Sequence, residues 1–297
     1  MTSSLSRHPG FRRARAATLV AAAAATVLTG CGGVGAKLTF SDVEKAKITD
    51  IVVTGGSGDV MIRTASITET RINRIIHRNS DPGGSYKING ATLTIDTDCG
   101  PNCSVSYDIT APQGVKVRGS LGSGDIQLTE VGAVDLSLTS GDMMINQVKG
   151  DVTAKATSGE ITLNDVTGKV SASVQSGNIR AMRIGGGPVD LRATSGDVEV
   201  DVVKPMSVTA QTTSGDVMAH IPAGRYDIRT SAKSGDVRLD GLGLDDDANS
   251  PNKLNISATS GDVDVTTSPG VHDPGVHEVP LEPDAPESPE PLPSRTA

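Results

Sequence analysis

An acidic side chain recurs at one position of a short repeated motif, and this column is the most promising candidate for chemistry in the chain. The tripeptide Ser-Gly-Asp, or a variant that ends in Glu or Asn, occurs nine times. Its final residues are Asp59, Asp125, Asp142, Glu160, Asn178, Asp197, Asp216, Asp236 and Asp262. If successive copies stack as neighbouring strands, their carboxylates lie about 5 Å apart and repel one another. Turn N–H groups, basic side chains or bound cations must offset that repulsion.

Two interpretations of the acidic column differ in what binds the carboxylates. Calcium takes six to eight oxygen ligands, whereas the motif supplies one carboxylate and one hydroxyl per turn. Asn178 keeps the geometry of a side-chain cap and loses the charge, which favours capping of backbone N–H groups. We therefore predict turn capping and no metal, and a calcium ladder is the alternative. That ladder would use Asp59, Asp125, Asp142, Asp197, Asp216, Asp236 and Asp262.

The rest of the chain offers little that predicts catalysis. Its five histidines are His8, His77, His220, His272 and His277, and none has a partner that the sequence reveals. The chain contains no glycine-rich phosphate loop, nucleophile elbow or HExxH motif. It has no Trp, two Phe and three Tyr, so the usual stacking platform of sugar-cleaving β-helices is missing. We predict a protein that is not an enzyme and needs no cofactor.

Alternating hydrophobic residues flank the motif and predict the elements that position the acids. Apolar residues precede the serine by six, four and two positions, as in Val134, Leu136 and Leu138. Alternation resumes three and five positions after the serine, as in Ile161 and Leu163. This pattern indicates strands with one buried face. A further apolar residue stands eight positions after the serine in Val131, Val148, Val166, Ile184 and Val203.

Each copy therefore predicts a strand, a tight turn, a second strand and a corner. A unit this small cannot bury its apolar face alone, but stacked units bury it continuously. We predict an all-β fold, a parallel β-solenoid with coils of about 18 to 20 residues. A Greek-key β-sandwich also contains many short strands with turn signals between them. The fixed register of the apolar columns favours the solenoid.

A gap of 66 residues separates the first motif, at Ser57, from the second, at Ser123. It predicts a divergent N-terminal β-cap over 40–116, ahead of regular coils over 117–268. Within the cap, Cys99 and Cys103 lie between alternating segments at 92–98 and 104–109. We predict a hairpin whose tip is closed by a disulfide. A redox-active pair or half of a metal site is the alternative, although no histidine or acidic cluster completes such a site.

The two ends of the chain differ in composition from the repeats. Residues 1–30 combine four arginines with the apolar run 16–28, which is too short for a spanning helix and typical of a secretion signal. Leu28-Thr29-Gly30-Cys31 matches the lipobox of bacterial lipoproteins. We predict cleavage before Cys31, lipid on that cysteine and anchoring to the outer face of the cell membrane. Residues 31–39 then form a tether, 40–268 the repeat domain, and 269–297 a disordered, proline-rich acidic tail.

The charge of the chain limits its partners. The net charge is −8, and loss of residues 1–30 removes four arginines and no acid, which leaves −12. An acidic surface repels phosphates, and no basic stripe with interleaved aromatics appears, so we expect no binding to nucleic acid. The expected partners are the membrane, through lipid on Cys31, and an unidentified envelope protein or glycan.

The run from Tyr107 to Asp262 resembles the DUF4097 family of adhesin-like proteins with β-strand repeats. The resemblance rests on Val105-Ser106-Tyr107-Asp108-Ile109, on Pro112-Gln113-Gly114 and on the motif series, and it extends over about residues 40–267. It implies a β-solenoid domain that is often attached to the cell envelope, and it brings no catalytic residues. We expect a non-catalytic, lipid-anchored envelope protein that acts as a binding or structural display surface. The alternative is a polysaccharide-binding or polysaccharide-active β-helix of the envelope.

Overall fold

The computed structural model describes residues 37–77, 84–100, 103–240 and 243–267, and every regular element in them is a β-strand. In chain order the strands are β1 (Lys37–Glu44), β2 (Asp50–Thr54), β3 (Val60–Ala65), β4 (Thr70–His77), β5 (Tyr86–Asn89), β6 (Thr92–Asp96), β7 (Ser104–Pro112), β8 (Lys116–Ser123), β9 (Ile126–Thr129), β10 (Val134–Ser140), β11 (Met143–Val148), β12 (Val152–Ser158), β13 (Ile161–Val166), β14 (Val170–Ser176), β15 (Ile179–Ile184), β16 (Val189–Ser195), β17 (Val198–Val202), β18 (Val208–Ser214), β19 (Val217–Ile221), β20 (Gly224–Ser234), β21 (Val237–Asp240), β22 (Leu244–Asp246), β23 (Lys253–Ser260) and β24 (Val263–Thr267).

The strands form two sheets of twelve strands each. The first, here called the front sheet, has the order β1-β4-β7-β3-β9-β11-β13-β15-β17-β19-β24-β21. The second, the back sheet, has the order β22-β20-β23-β18-β16-β14-β12-β10-β8-β2-β6-β5. Each regular coil contributes one strand to the back sheet and then one to the front sheet, and all pairings between coils are parallel. The prediction of a parallel β-solenoid is confirmed.

The apolar columns of the repeat fill the space between the two sheets. Ala154 lies in register with Leu136 on one side and Ala172 on the other, and all three are buried. Leu163 of the front sheet is fully buried in the same way. Because parallel strands lie about 4.8 Å apart, a fixed repeat length stacks equivalent side chains above one another. Burial along the stack is therefore continuous.

One predicted column shifts by a single residue near the end of the regular coils. Val131, Val148, Val166 and Ile184 are buried eight positions after their serines, as predicted. In the next coil Val202 is buried and Val203 is only half-buried, so the buried column moves one residue earlier there. That coil lacks one residue before the corner, and the pairing of β15 with β17 shows the matching shift between Ala181 and Ile184.

The N-terminal cap contains a hairpin, but not the predicted one. β5 and β6 form the antiparallel hairpin, with Gly90 in a left-handed conformation at its turn. The strands that flank the two cysteines, β6 and β7, belong to opposite sheets, where they pair in parallel with β2 and β3. Each of them has one apolar face that extends the solenoid core, so together they build an additional coil outside the first motif. β1 and β4 then cover the end of the front sheet in antiparallel pairing.

The order of the coils also departs from chain order at the C-terminal end. β23 and β24 insert between the coil of β18 and β19 and the coil of β20 and β21. The stretch 243–253 supplies the short strand β22, which pairs with the start of β20. As the last coil, β20 and β21 leave apolar residues uncovered, and Val237 and Leu239 are 40% and 49% exposed.

Several predictions concern segments outside the described residues. They are the signal peptide over 1–30, lipid on Cys31 and the tail over 269–297. The described residues begin at Lys37, inside the predicted tether of 31–39, and Leu38 and Phe40 on β1 pack against the core. Within the described residues, no helix has the length and apolar character needed to cross a membrane.

Candidate functional site

The acids of the motif form a ladder of hydrogen bonds along the edge where the two sheets meet. Asp142 Oδ1 accepts the backbone N–H of Glu160 at 2.8 Å, and Asp125 Oδ1 accepts the N–H of Asp142 at 3.0 Å. Each cap thus acts on the next coil and not on its own turn. The same bond joins Asp59 to Asp125, Asn178 to Asp197, Asp197 to Asp216, Asp216 to Asp262 and Asp262 to Asp236. The carboxylates hold neighbouring turns together, which is a structural role for the column.

The glycine of the motif makes the close stacking of these turns possible. Gly177 has a φ of 137°, in the region that L-residues with side chains avoid. A Cβ at this position would also lie inside van der Waals distance of the carbonyl oxygen of Gly159, one coil away. Glycine is therefore needed twice over, for its backbone conformation and for the approach of the neighbouring coil.

The ladder is interrupted at Glu160, the one position with a longer acidic side chain. The Glu160 carboxylate accepts a hydrogen bond from Thr162 Oγ1 at 2.9 Å and pairs with Arg180 at 3.0 Å. It does not accept the N–H of Asn178, the next residue in the column. Asn178 resumes the series toward Asp197 at 2.9 Å. The extra methylene of Glu160 therefore divides the ladder into two segments.

Shortening this side chain is expected to join the two segments. In Glu160→Asp, the carboxylate can accept the N–H of Asn178, and we expect the free energy of unfolding to rise by about 1 kcal/mol. Loss of the exposed Arg180 pair subtracts less than that. Chemical denaturation measures the change, with Glu160→Gln as the control that keeps the longer side chain. A variant no more stable than Glu160→Gln would contradict the continuous ladder.

A serine and a disulfide replace the motif at the N-terminal end of the ladder. The N–H of Asp59 donates to Ser106 Oγ at 3.1 Å, so Ser106 occupies the place of the missing acid. Cys99 and Cys103 are joined by a disulfide in the connection between β6 and β7. An antiparallel bridge between Asp98 and Ser104 narrows the base of that connection. The disulfide thus joins the two sides of the connection that stands where a Ser-Gly-Asp turn would be, and its role as a staple stays a prediction.

The described residues contain no group of three or more His, Cys, Asp or Glu side chains placed to hold a metal ion. His220 Nδ1 lies 2.7 Å from Thr266 Oγ1 on the outer face of the front sheet. Of the seven aspartates in the calcium alternative, all but Asp236, which ends the series, accept a backbone N–H with one carboxylate oxygen.

We expect added calcium to leave the thermal unfolding midpoint of the protein unchanged. A midpoint that rises and saturates with calcium concentration would favour the calcium ladder.

A second column, where each front strand runs into the corner, has an unusual backbone. Glu130, Gln147, Asp165 and Arg183 stand seven positions after their serines and have φ values of 59°, 57°, 56° and 54°. A left-handed conformation costs a non-glycine residue about 1–2 kcal/mol. The cost recurs in four successive coils, and in each of them the next residue is apolar and buried, as Val148 is after Gln147. Alternation of hydrophobic residues carries no signal for this feature, so sequence reasoning missed it.

Two corner residues form an ion pair between neighbouring coils. Arg183 Nε and Nη2 donate to the two carboxylate oxygens of Asp165 at 2.7 and 2.6 Å. These hydrogen bonds hold the pKa of Asp165 below its usual value and raise the pKa of Arg183. A lowered Asp pKa adds stability above the unfolded-state pKa, and that stability is lost as pH falls through the folded-state pKa. Both side chains are about half exposed, so the contribution is small.

Removing the Arg183 guanidinium is expected to return the pKa of Asp165 toward its usual value. In Arg183→Gln the two charge-assisted hydrogen bonds are lost, and the pKa of Asp165 should rise. Titration of the carboxyl carbon by NMR measures it directly. Arg180→Gln, which removes a neighbouring cation that pairs with Glu160 and Glu199, is the control and should leave Asp165 unchanged. If the pKa of Asp165 were unchanged in Arg183→Gln, the ion pair between Asp165 and Arg183 would not persist in solution.

A groove of about 440 Å³ runs across five coils on the outer face of the back sheet. One wall is the outward row three positions before each serine, which includes Ser137, Lys155 and Arg192. The other wall is the row one position before each serine, which includes Thr139 and Thr157. The floor is the intervening row, where small residues such as Ala156 and Ala193 face inward. We call this surface the hydroxyl groove, and no pattern in the sequence had indicated it.

Parallel coils in fixed register, held by a side-chain ladder at one edge, define a β-solenoid of the stacked-repeat class. The chain belongs to the family described as Toastrack DUF4097, whose model matches residues 48–267. The match covers the regular coils and all of the cap after β1, and the predicted family is confirmed.

The solved structures that match the chain include two with low sequence identity. One, a putative cell adhesion protein from Clostridium sporogenes, is 12% identical, with a TM-score of 0.26, and the match covers 84% of this chain and all of that one. The other, a putative adhesin from Bacteroides fragilis, is 12% identical, with a TM-score of 0.34, and the match covers 77% of this chain and 97% of that one. No curated protein matches the chain.

Proposed function

We propose that the protein is a non-catalytic, adhesin-like display protein of the cell envelope, and that its solenoid presents a binding surface away from the membrane. The observation that carries the proposal is the register of the outer faces. Lys155 lies beside Ser137 on one side and Ser173 on the other, and Arg192 continues the row. Equivalent side chains therefore form rows across the stack, which suits an extended partner better than a small substrate.

Lipid on Cys31 is the proposed attachment, and the lipobox at Leu28–Cys31 supports it. An acidic chain without a polybasic patch needs such an anchor, because two or more acyl chains hold a protein at a membrane where one does not. The test is metabolic labelling with a fatty-acid analogue in cells that express the full chain. Label and membrane fractionation should both be lost in Cys31→Ala. Label that persists in that variant would contradict the anchor.

Binding itself is tested with the purified full chain against a panel of envelope glycans and envelope proteins, with heat-unfolded chain as the control. We expect retention by the folded chain alone, and retention of nothing would contradict the proposal. The second candidate, a polysaccharide-active β-helix, draws its support from the hydroxyl groove. It predicts shortened products after incubation with a glycan, whereas a display protein returns the glycan intact.

A further inference from the structure

We propose that the hydroxyl groove binds a linear, carboxylate-bearing polysaccharide that lies along the solenoid axis and across the strands. The inference rests on the proposed function, because it names the class of partner that the displayed surface takes. It is carried by the composition of the groove, by its charge and by the spacing of its two cations.

The groove offers polar side chains in two parallel rows, with a row of small or apolar residues as the floor between them. Ser137 and Ser173 flank Lys155 in one row, and Thr139 and Thr157 face them in the other. Hydroxyl groups both donate and accept hydrogen bonds, as the hydroxyls of a sugar do. With four spacings of about 4.8 Å, the five coils make a track of about 19 Å, long enough for several sugar units. No aromatic side chain lines the track, so recognition must come from hydrogen bonds and charge.

The charge of the groove is opposite to that of the chain. Lys155 and Arg192 are its two ionisable lining residues, and no acid lines it, although the chain contains 35 acidic residues. The side chain of Lys155 is exposed and takes part in no hydrogen bond or ion pair within the described part of the chain. Arg192 is held in place by Asp190 at 2.9 Å and by Gln211. The hydrogen bonds to Gln211 and Asp190 use one N–H on Nη1 and one on Nη2, so a second N–H on each of these nitrogens remains for a ligand.

The spacing of the cations indicates a ligand with regularly repeated anions. Lys155 and Arg192 lie in the same row with Ser173 between them, which places them two coils and about 10 Å apart. Acids on the outer face of the back sheet, such as Asp135 and Asp190, lie in the neighbouring row, outside the groove. They disfavour an anion there and confine it to the track.

A concavity on the front sheet provides a contrast within the same molecule. It has a volume of about 220 Å³ and contains Arg180, but Asp197, Glu199 and Asp216 also line it. Arg180 pairs with Glu160 at 3.0 Å and with Glu199 at 3.3 Å. Arg192 likewise pairs with Asp190, but no carboxylate lines the hydroxyl groove, whereas an anionic ligand would meet three carboxylates in this concavity. The back sheet is therefore the face that suits a polyanion.

The test is isothermal titration of the full chain with short oligogalacturonides, with the methyl-esterified form as a matched neutral probe. We expect binding of the acid form that weakens with added salt, and weaker binding of the ester. Lys155→Gln should weaken binding by about fivefold, and Lys155→Gln combined with Arg192→Gln by more than tenfold. Lys155→Arg keeps the charge and should keep the affinity. Arg118→Gln removes an exposed cation from the same sheet outside the groove and should change nothing.

Three results would overturn the inference. They are equal binding of acid and ester, equal losses in Lys155→Gln and Arg118→Gln, and binding of single-stranded DNA as tight as that of the oligogalacturonide. In each case the envelope-binding test above can still succeed, because it does not depend on the hydroxyl groove. Failure of that test with unaltered chain would instead contradict the proposed function. Unchanged circular dichroism of the variants establishes that they fold.

Discussion

Replacing Gly177 by alanine is expected to lower the free energy of unfolding by about 4 kcal/mol, the sum of backbone strain and a clash with the next coil. The φ of Gly177 is 137°, and the added methyl would meet the carbonyl of Gly159, a backbone atom that cannot move alone. In a stacked array each coil is stabilised by its two neighbours, so a displaced turn weakens both contacts. Urea unfolding followed by far-UV circular dichroism gives the free energy and its denaturant dependence.

Gly56→Ala is the matched control, because Gly56 lies immediately before the first motif and a methyl group added there would have no atom within 4 Å. Its φ lies outside the left-handed region, so the substitution should change stability by less than about 0.5 kcal/mol. If Gly177→Ala were as stable as Gly56→Ala, the turn at Gly177 could not lie as close to the Gly159 carbonyl as it does in the structure. If the unfolding free energy of Gly177→Ala depended less steeply on urea concentration, the array would have split into parts that unfold separately.

The repeat made the coil predictable in detail. Alternation with a fixed period defines which residues face inward, and the burial of Val152, Ala154 and Leu163 follows from it. Capping by the motif was also accessible, since Asn178 shares the geometry of aspartate without its charge. What the sequence did not reveal is that each cap reaches the next coil, as Asp142 does to Glu160. That depends on the distance between coils and not on the local turn.

The order of the coils was not predictable from the same pattern. Val263 and Val265 match the apolar column as well as Val237 and Leu239 do, so either pair could follow the coil of β18 and β19. In the structure the first pair is fully buried and the second is exposed at the end of the stack. A periodic pattern records which face is apolar but not which neighbour covers it. The same ambiguity made β6 and β7 look like a hairpin, although they belong to different sheets.

The N-terminal cap contains a buried ion pair that strict alternation along β1 and β4 could have revealed. On β4, Ile72 and Ile76 are buried, and strict alternation places Arg74 on the same inward face. On β1, alternation from Phe40 places Asp42 inward as well. A pattern of apolar residues alone does not include charged residues on the inward face, so these two charges were missed. Arg74 Nη2 lies 2.9 Å from Asp42 Oδ2, and both side chains are at most 10% exposed.

Aromatic rings enclose this pair and connect it to the rest of the cap. The guanidinium of Arg74 lies 5.1 Å from the centre of the Phe40 ring and 5.2 Å from that of Tyr86. Tyr86 donates its hydroxyl proton to Glu44 at 2.8 Å, and burial together with that hydrogen bond raises the pKa of the phenol. Cation–π contacts of this kind favour a charged guanidinium in a site with little water. The pair therefore fixes β1 against β4 at the end of the solenoid.

Breaking this ion pair is expected to cost 3–5 kcal/mol, roughly the penalty for a buried charge left without its partner. Arg74→Met should destabilise the cap by that amount, because it leaves the Asp42 carboxylate buried and unpaired. The combined variant Asp42→Leu and Arg74→Met should recover most of the loss, since an apolar pair needs no compensation. Tyrosine fluorescence during urea unfolding measures the effect locally, because Tyr86 and Tyr107, two of the three tyrosines, lie in the cap.

Arg71→Met provides the comparison on the same strand. Arg71 pairs with Glu69 at 3.0 Å, but its side chain is 57% exposed, so its removal should cost less than about 1 kcal/mol. Equal losses in Arg71→Met and Arg74→Met would mean that the cap opens to water before the solenoid unfolds. A loss confined to Arg74→Met, with the far-UV transition unchanged, would instead separate the cap from the coils as a unit of stability. A repeat array needs such an end, because its last coil otherwise exposes the apolar face that every other coil buries.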